Sequence, residues 1–256
     1  MLKMEFSSKH NHDMMLNLKH ILNQHIRKLK LLLSCCTLCG CPCQHHPLLC
    51  QYCQADLAYF DHNVVGYDLL SWPAINKLIQ TKHFEHLLAI APYVWPFSTW
   101  IGQLKYQHKT ELAELLAYLM AEHWRQYLQI EKPDIEPEDL VVLAVPLHLK
   151  KWQERGFNQA HLIARKFAQT FHYAYQTDTI VREKFTENQV GKSGAARRKN
   201  LKNAFRINKN ERLPTHVILI DDVVTTGTTA NEICRLLKKR GVQNITLLGI
   251  CLALPS

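Results

Sequence analysis

The sequence predicts an α/β fold in which a mostly parallel sheet is flanked by helices, behind a small cysteine-rich N-terminal domain. Three observations predict it. From Leu87 onward, short runs of Val, Leu and Ile alternate with segments of helical period. One run, Val217–Ile220, leads through two aspartates into a Thr/Gly turn and another helical segment. Seven of the nine cysteines lie between Cys35 and Cys53, ahead of the alternating region. The boundaries expected are a basic amphipathic leader over 1–34, a cysteine-rich domain over 35–86, and the α/β domain over 87–256.

Each element follows from its pattern. Leu18, Leu22, Ile26, Leu29 and Leu33 recur at helical spacing with Lys19, Arg27, Lys28 and Lys30 largely elsewhere, which reads as a solvated helix, with a membrane-surface or partner helix as the alternative. Residues 57–86 carry turn and aromatic residues without a clear period. A strand is expected over Leu87–Trp95 and helices over Thr99–Lys105 and Glu111–Tyr127, the latter with Leu112, Leu115, Leu116, Leu119 and Trp124 on one side. The acidic, proline-bearing stretch Glu131–Asp139 is a connector, and Leu140–Val145 a buried strand. Ala160–Phe171 reads as a helix, Thr179–Arg182 as a short strand and Glu183–Asn200 as a long polar loop. A strand over Val217–Ile220, a helix over Thr228–Arg240 and a strand over Ile245–Ala253 close the chain.

Composition narrows the function classes. With 47% hydrophobic and 21% charged residues among 256, disordered and repeat architectures are poor readings. The longest apolar stretches, such as Leu87–Pro92 and Leu247–Ala253, fall far short of the roughly 20 residues that cross a bilayer. Met1–Asn17 holds charges but no apolar core or small-residue cleavage site, so a cytoplasmic, reduced protein is expected. A formal charge of +9 favours acidic partners such as phosphates or nucleic acid.

The window VILIDDVVTTGTT, Val217–Thr229, carries the chemistry. Ligands of open α/β sheets bind at the carboxyl ends of strands, and a helix N-terminus behind a Gly/Thr turn offers backbone N–H groups to an anion. Hydroxyls of Thr225, Thr226, Thr228 and Thr229 add donors without charge. Asp221 and Asp222 would repel a ligand that was phosphate alone, but as acceptors they suit the vicinal hydroxyls of a sugar, with a divalent ion nearby. A ribose 5-phosphate moiety satisfies both halves. The competing account is an N-cap loop with exposed strand-end aspartates. The window is neither a Walker A loop nor a dinucleotide fingerprint.

Cys36-x₂-Cys39 and Cys50-x₂-Cys53, ten residues apart, have the spacing of paired zinc knuckles. Structural Zn²⁺ is favoured over an Fe–S cluster or a redox disulfide, although Cys35, Cys41 and Cys43 are within reach. His45 and His46 read as solvated loop residues, and Cys234 and Cys251 as core. Between Arg182 and Arg212, ten Lys and Arg stand against three Glu, so most of the net charge lies in one segment. Beside a sugar-phosphate site it could serve a pyrophosphate or the backbone of single-stranded DNA; a solvated loop is the alternative.

These blocks resemble the ComF/GntX family of competence-associated proteins, and VILIDDVVTTGTT resembles the phosphoribosyl pyrophosphate (PRPP) motif of type I phosphoribosyltransferases. The other matching blocks are LKYQHK (Leu104–Lys109), VPLHLKKWQERGFNQA (Val145–Ala160), VREKFTENQ (Val181–Gln189) and RRKNLKNAF (Arg197–Phe205). The resemblance implies a type I phosphoribosyltransferase-like sheet behind a zinc ribbon. Asp221 and Asp222 would hold the ribose, and Thr225, Thr226, Gly227, Thr228 and Thr229 the 5-phosphate. Pro146, Leu147 and His148 would form the pyrophosphate loop, with Lys150, Lys151 and Arg155 adding charge. A mobile basic loop would include Arg182, Lys192, Arg197, Arg198 and Lys199. Mg²⁺ would accompany PRPP, and Zn²⁺ would sit on Cys36, Cys39, Cys50 and Cys53.

The expected role is uptake or processing of transforming single-stranded DNA, with PRPP as substrate or regulator and an uptake channel, helicase or recombination protein as partner. The alternative is a metabolic phosphoribosyltransferase acting on a base or amine, although no base-binding hood is recognisable. A weaker third reading is a zinc-ribbon adaptor with a relic α/β domain.

Overall fold

Strands buried on both faces need apolar residues at every position, and the runs read above supply them. The computed structural model describes residues 25–26, 29, 31–79, 82–133, 135–183, 204–208 and 213–254. The chain divides into two compact units, 1–57 and 58–256. Most of the leader, and all of the basic segment from 184 to 203, lie outside the described residues. No described helix is long and apolar enough to cross a membrane.

The first unit is organised by its two C-x₂-C turns. The Cys36 carbonyl accepts from Gly40 N at 2.9 Å, and Cys36 N donates to the Cys41 carbonyl at 2.8 Å. A short helix, α1 (Gln51–Ala55), is capped by Cys50, whose sulfur accepts from Cys53 N at 3.4 Å. His45 is exposed, as expected. His46 is not a solvated loop residue: it is buried, and its Nδ1 accepts from Leu48 N at 3.2 Å, so the ring closes the turn between the knuckles.

The second unit begins with helices α2 (His62–Val65) and α3 (Pro73–Leu78). It continues through β1 (His86–Pro92), α4 (Phe97–Tyr106), α5 (Glu111–Glu131) and β2 (Leu140–Ala144). Next come α6 (Leu149–Arg155), α7 (Gln159–Phe171), β3 (Ala174–Tyr175), β4 (Ile180–Arg182) and β5 (Phe205–Ile207). The chain closes with β6 (His216–Val224), α8 (Thr228–Lys238) and β7 (Asn244–Leu252). Five strands form a parallel sheet in the order β1-β7-β6-β2-β3, and β4 pairs antiparallel with β5 in a separate ribbon.

Several features depart from expectation. Residues 58–86, grouped by sequence with the cysteines, send Phe60, Leu69, Ile75, Ile79 and Phe84 into the core that also holds Leu87, Val217 and Leu247. Residues 149–155 are helical, closed by Gly156 at φ +74°, a left-handed C-cap that a side chain would strain. Neither β3, which extends the sheet beside β2, nor β5 was foreseen, and the strand expected over Thr179–Arg182 pairs with β5 outside the parallel sheet. Strand β6 runs to Val224 rather than ending at Ile220, because β7 continues to pair with it through Asp221↔Gly249 and Val224↔Leu252.

One buried group makes the second unit acid-sensitive. His123 on α5 is 5% exposed, lies 4.8 Å from the His62 ring and 5.5 Å from Tyr67, and its Nε2 has no hydrogen-bond partner among the described residues. Burial, and secondarily the neighbouring His62, push its pKa down to about 3 from the ordinary 6.5. The unfolded chain therefore takes up a proton that the native state refuses as pH falls below 6.5. This contribution to stability is whole above pH 6.5 and is lost toward pH 3, at up to about 1.4 kcal/mol per pH unit. His123→Phe is expected to flatten the fall in urea midpoint between pH 7 and 5; parallel profiles for variant and wild type would refute this.

Candidate functional site

Strand order places the site. From β2 the chain crosses through α7 to β3 on one side, whereas from β6 it crosses through α8 to β7 on the other. The carboxyl ends of β2 and β6 thus flank a topological switch point, where open α/β sheets leave a crevice. The two strands are joined up to the Val145 N–H, which donates to the Ile220 carbonyl at 2.9 Å. Beyond that, β6 continues alone on this side, and Asp221 and Asp222 project from it past the end of β2.

The turn after β6 is shaped by Gly227, the N-cap of α8, at φ +64°. A Cβ there would meet Ile79 at an ordinary 3.7 Å, so backbone conformation rather than crowding calls for glycine. Thr225 is exposed, and Thr226 and Thr228 share a hydroxyl hydrogen bond at 2.8 Å. Thr228 and Thr229 open the first turn of α8, whose leading N–H groups have no helical partner of their own.

Across the crevice, Pro146, Leu147 and His148 follow β2. His148 caps α6 through Nδ1, which accepts from Lys150 N at 3.1 Å. Lys150, Lys151 and Arg155 lie on α6, a helix the sequence reading did not assign, and Arg182 ends β4. These cations feel one another. Partial burial and then the charges of Arg155, Arg182 and Lys105 hold Lys151 below the usual lysine range, and burial followed by Arg182, Lys150 and Lys151 lowers His148. A group of mutually repelling cations is an arrangement that an anion relieves.

The aspartates are balanced by a residue that sequence reading quoted in LKYQHK without giving it a role. Lys105, on α4, makes an ion pair with Asp222 Oδ2, and Gln159 Nε2 donates to Asp222 Oδ1 at 3.4 Å. Asp222 is 4% exposed; although burial opposes its charge, Lys105 holds its carboxyl below the usual range. Asp221 is pushed well above it, by burial and then by the Asp222 charge. Gln159 is itself held by Arg155 Nη1 at 3.1 Å, so a continuous network links the aspartates to α6. Asn158, also missed, caps α7 by accepting from Ala160 N at 3.0 Å and donates to the Val145 carbonyl at 3.0 Å, pinning the turn after β2. Both residues stand in GFNQA, but only their side-chain partners reveal their roles.

The structure therefore brings together Asp221, Asp222, the Thr/Gly turn, the Pro146–His148 turn, Lys151, Arg155 and Arg182. Lys192, Arg197, Arg198 and Lys199 lie outside the described residues.

In the first unit, the Sγ atoms of Cys36, Cys39, Cys50 and Cys53 all lie within 4.8 Å of one another, with Cys39 and Cys50 3.6 Å apart. Tetrahedral thiolates about 2.3 Å from one ion stand about 3.8 Å apart, so the donor set fits a metal. None of the nine cysteines is in a disulfide. Burial raises Cys36, but the amides of Cys50, Leu38 and Cys39 outweigh it and draw that thiol down to about 6. Cys53 is driven far up, first by its hydrogen bond with Cys39. Four such thiols ionise together only around a cation. Cys35 and Cys41 are exposed and Cys43 is buried outside this set, while Cys234 and Cys251 are core residues, as expected.

Residues 150–253 match the phosphoribosyl transferase domain family. Together with the parallel sheet and the acid pair at its switch point, the match defines the second unit as a phosphoribosyltransferase-type domain. Competence protein F of Haemophilus influenzae is 32% identical over 210 residues, 80% of this chain and 84% of that protein. DNA utilization protein YhgH of Escherichia coli O157:H7 is 30% identical over 222 residues, 84% of this chain and 83% of that protein. The chain belongs to this ComF/YhgH family. A crystal structure of adenine phosphoribosyltransferase aligns at a TM-score of 0.33 and 15% identity, covering 52% of this chain and 69% of that one, a likeness too distant to carry an argument.

Proposed function

We propose that the second unit binds PRPP, that the first holds structural Zn²⁺ on Cys36, Cys39, Cys50 and Cys53, and that the protein serves the uptake or processing of single-stranded DNA. The observation that carries the PRPP reading is the juxtaposition, across one crevice, of a carboxylate pair, Asp222 of it buried, with a cation group and a Thr/Gly turn. In this reading Asp221 and Asp222 accept from the ribose hydroxyls, Thr225–Thr229 take the 5-phosphate, and the Pro146–His148 turn with Lys150, Lys151, Arg155 and Arg182 takes the pyrophosphate. Mg²⁺ arriving with the ligand would neutralise pyrophosphate oxygens. Departure of pyrophosphate would leave negative charge on that group and positive charge on the ribose, each facing opposite charge in the protein. The names of the relatives, competence and DNA utilization, support the DNA role, as does the basic segment from Arg182 to Arg212. Zinc is favoured by the all-thiolate donor set.

Titration calorimetry with Mg²⁺ and PRPP tests the reading. Saturable binding is expected in the wild type, with at least a hundredfold loss in the Asp221→Asn, Asp222→Asn double variant. Equal binding by both proteins would sink it. Binding to single-stranded oligonucleotide is expected to weaken steeply between about 50 and 200 mM salt, as phosphate contacts require. Pyrophosphate release from PRPP with a panel of bases and amines would establish the metabolic alternative, which the phosphoribosyltransferase-type domain also supports.

A further inference from the structure

Lys105 stands between the acid and the cation groups of the crevice. Its helix, α4, is anchored in the core by Trp100, Ile101 and Leu104, so the backbone of the last turn is fixed and only the flexible side-chain stem can move. The ammonium pairs with Asp222 Oδ2, an oxygen shut off from solvent, while Gln159 donates to Asp222 Oδ1. Both oxygens of a carboxylate assigned to the ribose hydroxyls are thus already engaged.

On its other side Lys105 borders the cations. Arg155 donates to Gln159 at 3.1 Å and lies 5.3 Å over the ring of Tyr106, the residue next to Lys105. The Arg155 charge opposes that of Lys105, and Lys105 in turn bears on Lys151. Burial works against the Lys105 charge, but Asp222 and then Asp221 outweigh it, so the side chain is an ammonium. A sugar hydroxyl that takes Asp222 Oδ2 must displace this ammonium, and a buried charge that loses its counter-ion is costly. A pyrophosphate held by Arg155 and Lys151 supplies a new counter-ion, which the flexible stem can follow. Ribose 5-phosphate, whose one phosphate belongs to the Thr/Gly turn, supplies none.

We propose that Lys105 is a transferable counter-ion, which holds Asp222 until the ribose hydroxyls replace it and then pairs with the pyrophosphate, so that the crevice selects a pyrophosphorylated sugar over ribose 5-phosphate. This role rests on the PRPP reading of the crevice and couples its sugar contact to its pyrophosphate contact through one side chain.

The test is titration calorimetry of the full-length, metal-replete protein with PRPP, ribose 5-phosphate and inorganic pyrophosphate, each with Mg²⁺. Asp222→Asn removes the acid that holds Lys105, and is expected to bind inorganic pyrophosphate about threefold tighter than wild type because the ammonium is released. Adding Lys105→Gln is expected to abolish that gain and to weaken pyrophosphate about tenfold relative to Asp222→Asn, the scale of one charge-assisted hydrogen bond. In this pair of variants no Asp222 carboxylate is left buried without its counter-ion, so the comparison does not depend on the stability that Lys105 confers. Lys105→Gln alone is expected to weaken PRPP about tenfold and ribose 5-phosphate by less than about threefold, with Lys105→Arg restoring most of the PRPP affinity. A purely structural counter-ion would weaken both sugars alike and leave pyrophosphate unmoved. No gain in Asp222→Asn, a gain that survives Lys105→Gln, or ribose 5-phosphate weakened as far as PRPP would each overturn the proposal. Failure of the wild type to bind PRPP at all would instead sink the crevice reading beneath it.

Discussion

Chelating the metal from the full-length protein is expected to unfold residues 35–57 while the sheet of the second unit keeps its melting transition. Among its described residues the first unit has little else to fold around: Leu49 and Leu57 are the buried aliphatic residues between its knuckles and its end, and two of the four clustered thiols, Cys36 and Cys50, are themselves among the buried groups. Structural zinc contributes about 10–16 kcal/mol to such sites, far more than so small an apolar core supplies. Cys50→Ser should do the same, because Cys50 is fully buried, belongs to the sulfur cluster and caps α1. The measurement is limited proteolysis with stoichiometric metal release. Equal protease resistance of residues 35–57 with and without chelator would reject a structural role for the metal.

Lys105→Ala is expected to cost the second unit about 3–5 kcal/mol, because it leaves the Asp222 carboxylate buried without its counter-ion. The loss should be largest near neutral pH. Without Lys105, burial and the adjacent Asp221 raise the Asp222 pKa above its unfolded value. The native state then binds a proton more readily than the unfolded chain, and the deficit shrinks as pH falls through the raised pKa. Adding Asp222→Asn should recover most of the stability but not PRPP binding, separating charge compensation from ligand contact. Urea denaturation of the two variants at pH 7 and 5 measures this. A deficit below about 1 kcal/mol with no recovery in the double variant would mean that the pair is not the anchor of the crevice.

Where signals were contiguous, the sequence carried them. The Val217–Thr229 window holds its strand, acids, turn and helix start in thirteen consecutive residues, and the paired C-x₂-C turns single out four cysteines whose sulfurs the fold brings together. The alternation from Leu87 onward revealed the parallel sheet because strands buried on both faces leave few alternatives to Val, Leu and Ile. What sequence missed depends on partners far along the chain. Strand β5 exists through pairing with β4 across more than twenty residues, and β6 outruns its apolar run because β7 supplies the ladder. The electrostatics of Asp221 and Asp222 depend on Lys105, more than a hundred residues earlier, which nothing local to the acid window could reveal.

The sequence by itself determined the sheet class, the acid pair with its Thr/Gly turn, and the pairing of the two C-x₂-C turns, since each is written in residues adjacent or regularly spaced along the chain. Only the tertiary structure decided that β2 and β6 share the switch point, that Lys105 and Gln159 govern Asp222, and that Trp152, Phe157 and Tyr175 come together to line a cavity. The physical reason is that charge balance and enclosure are properties of groups brought together by packing, and no local period records which distant side chains will meet.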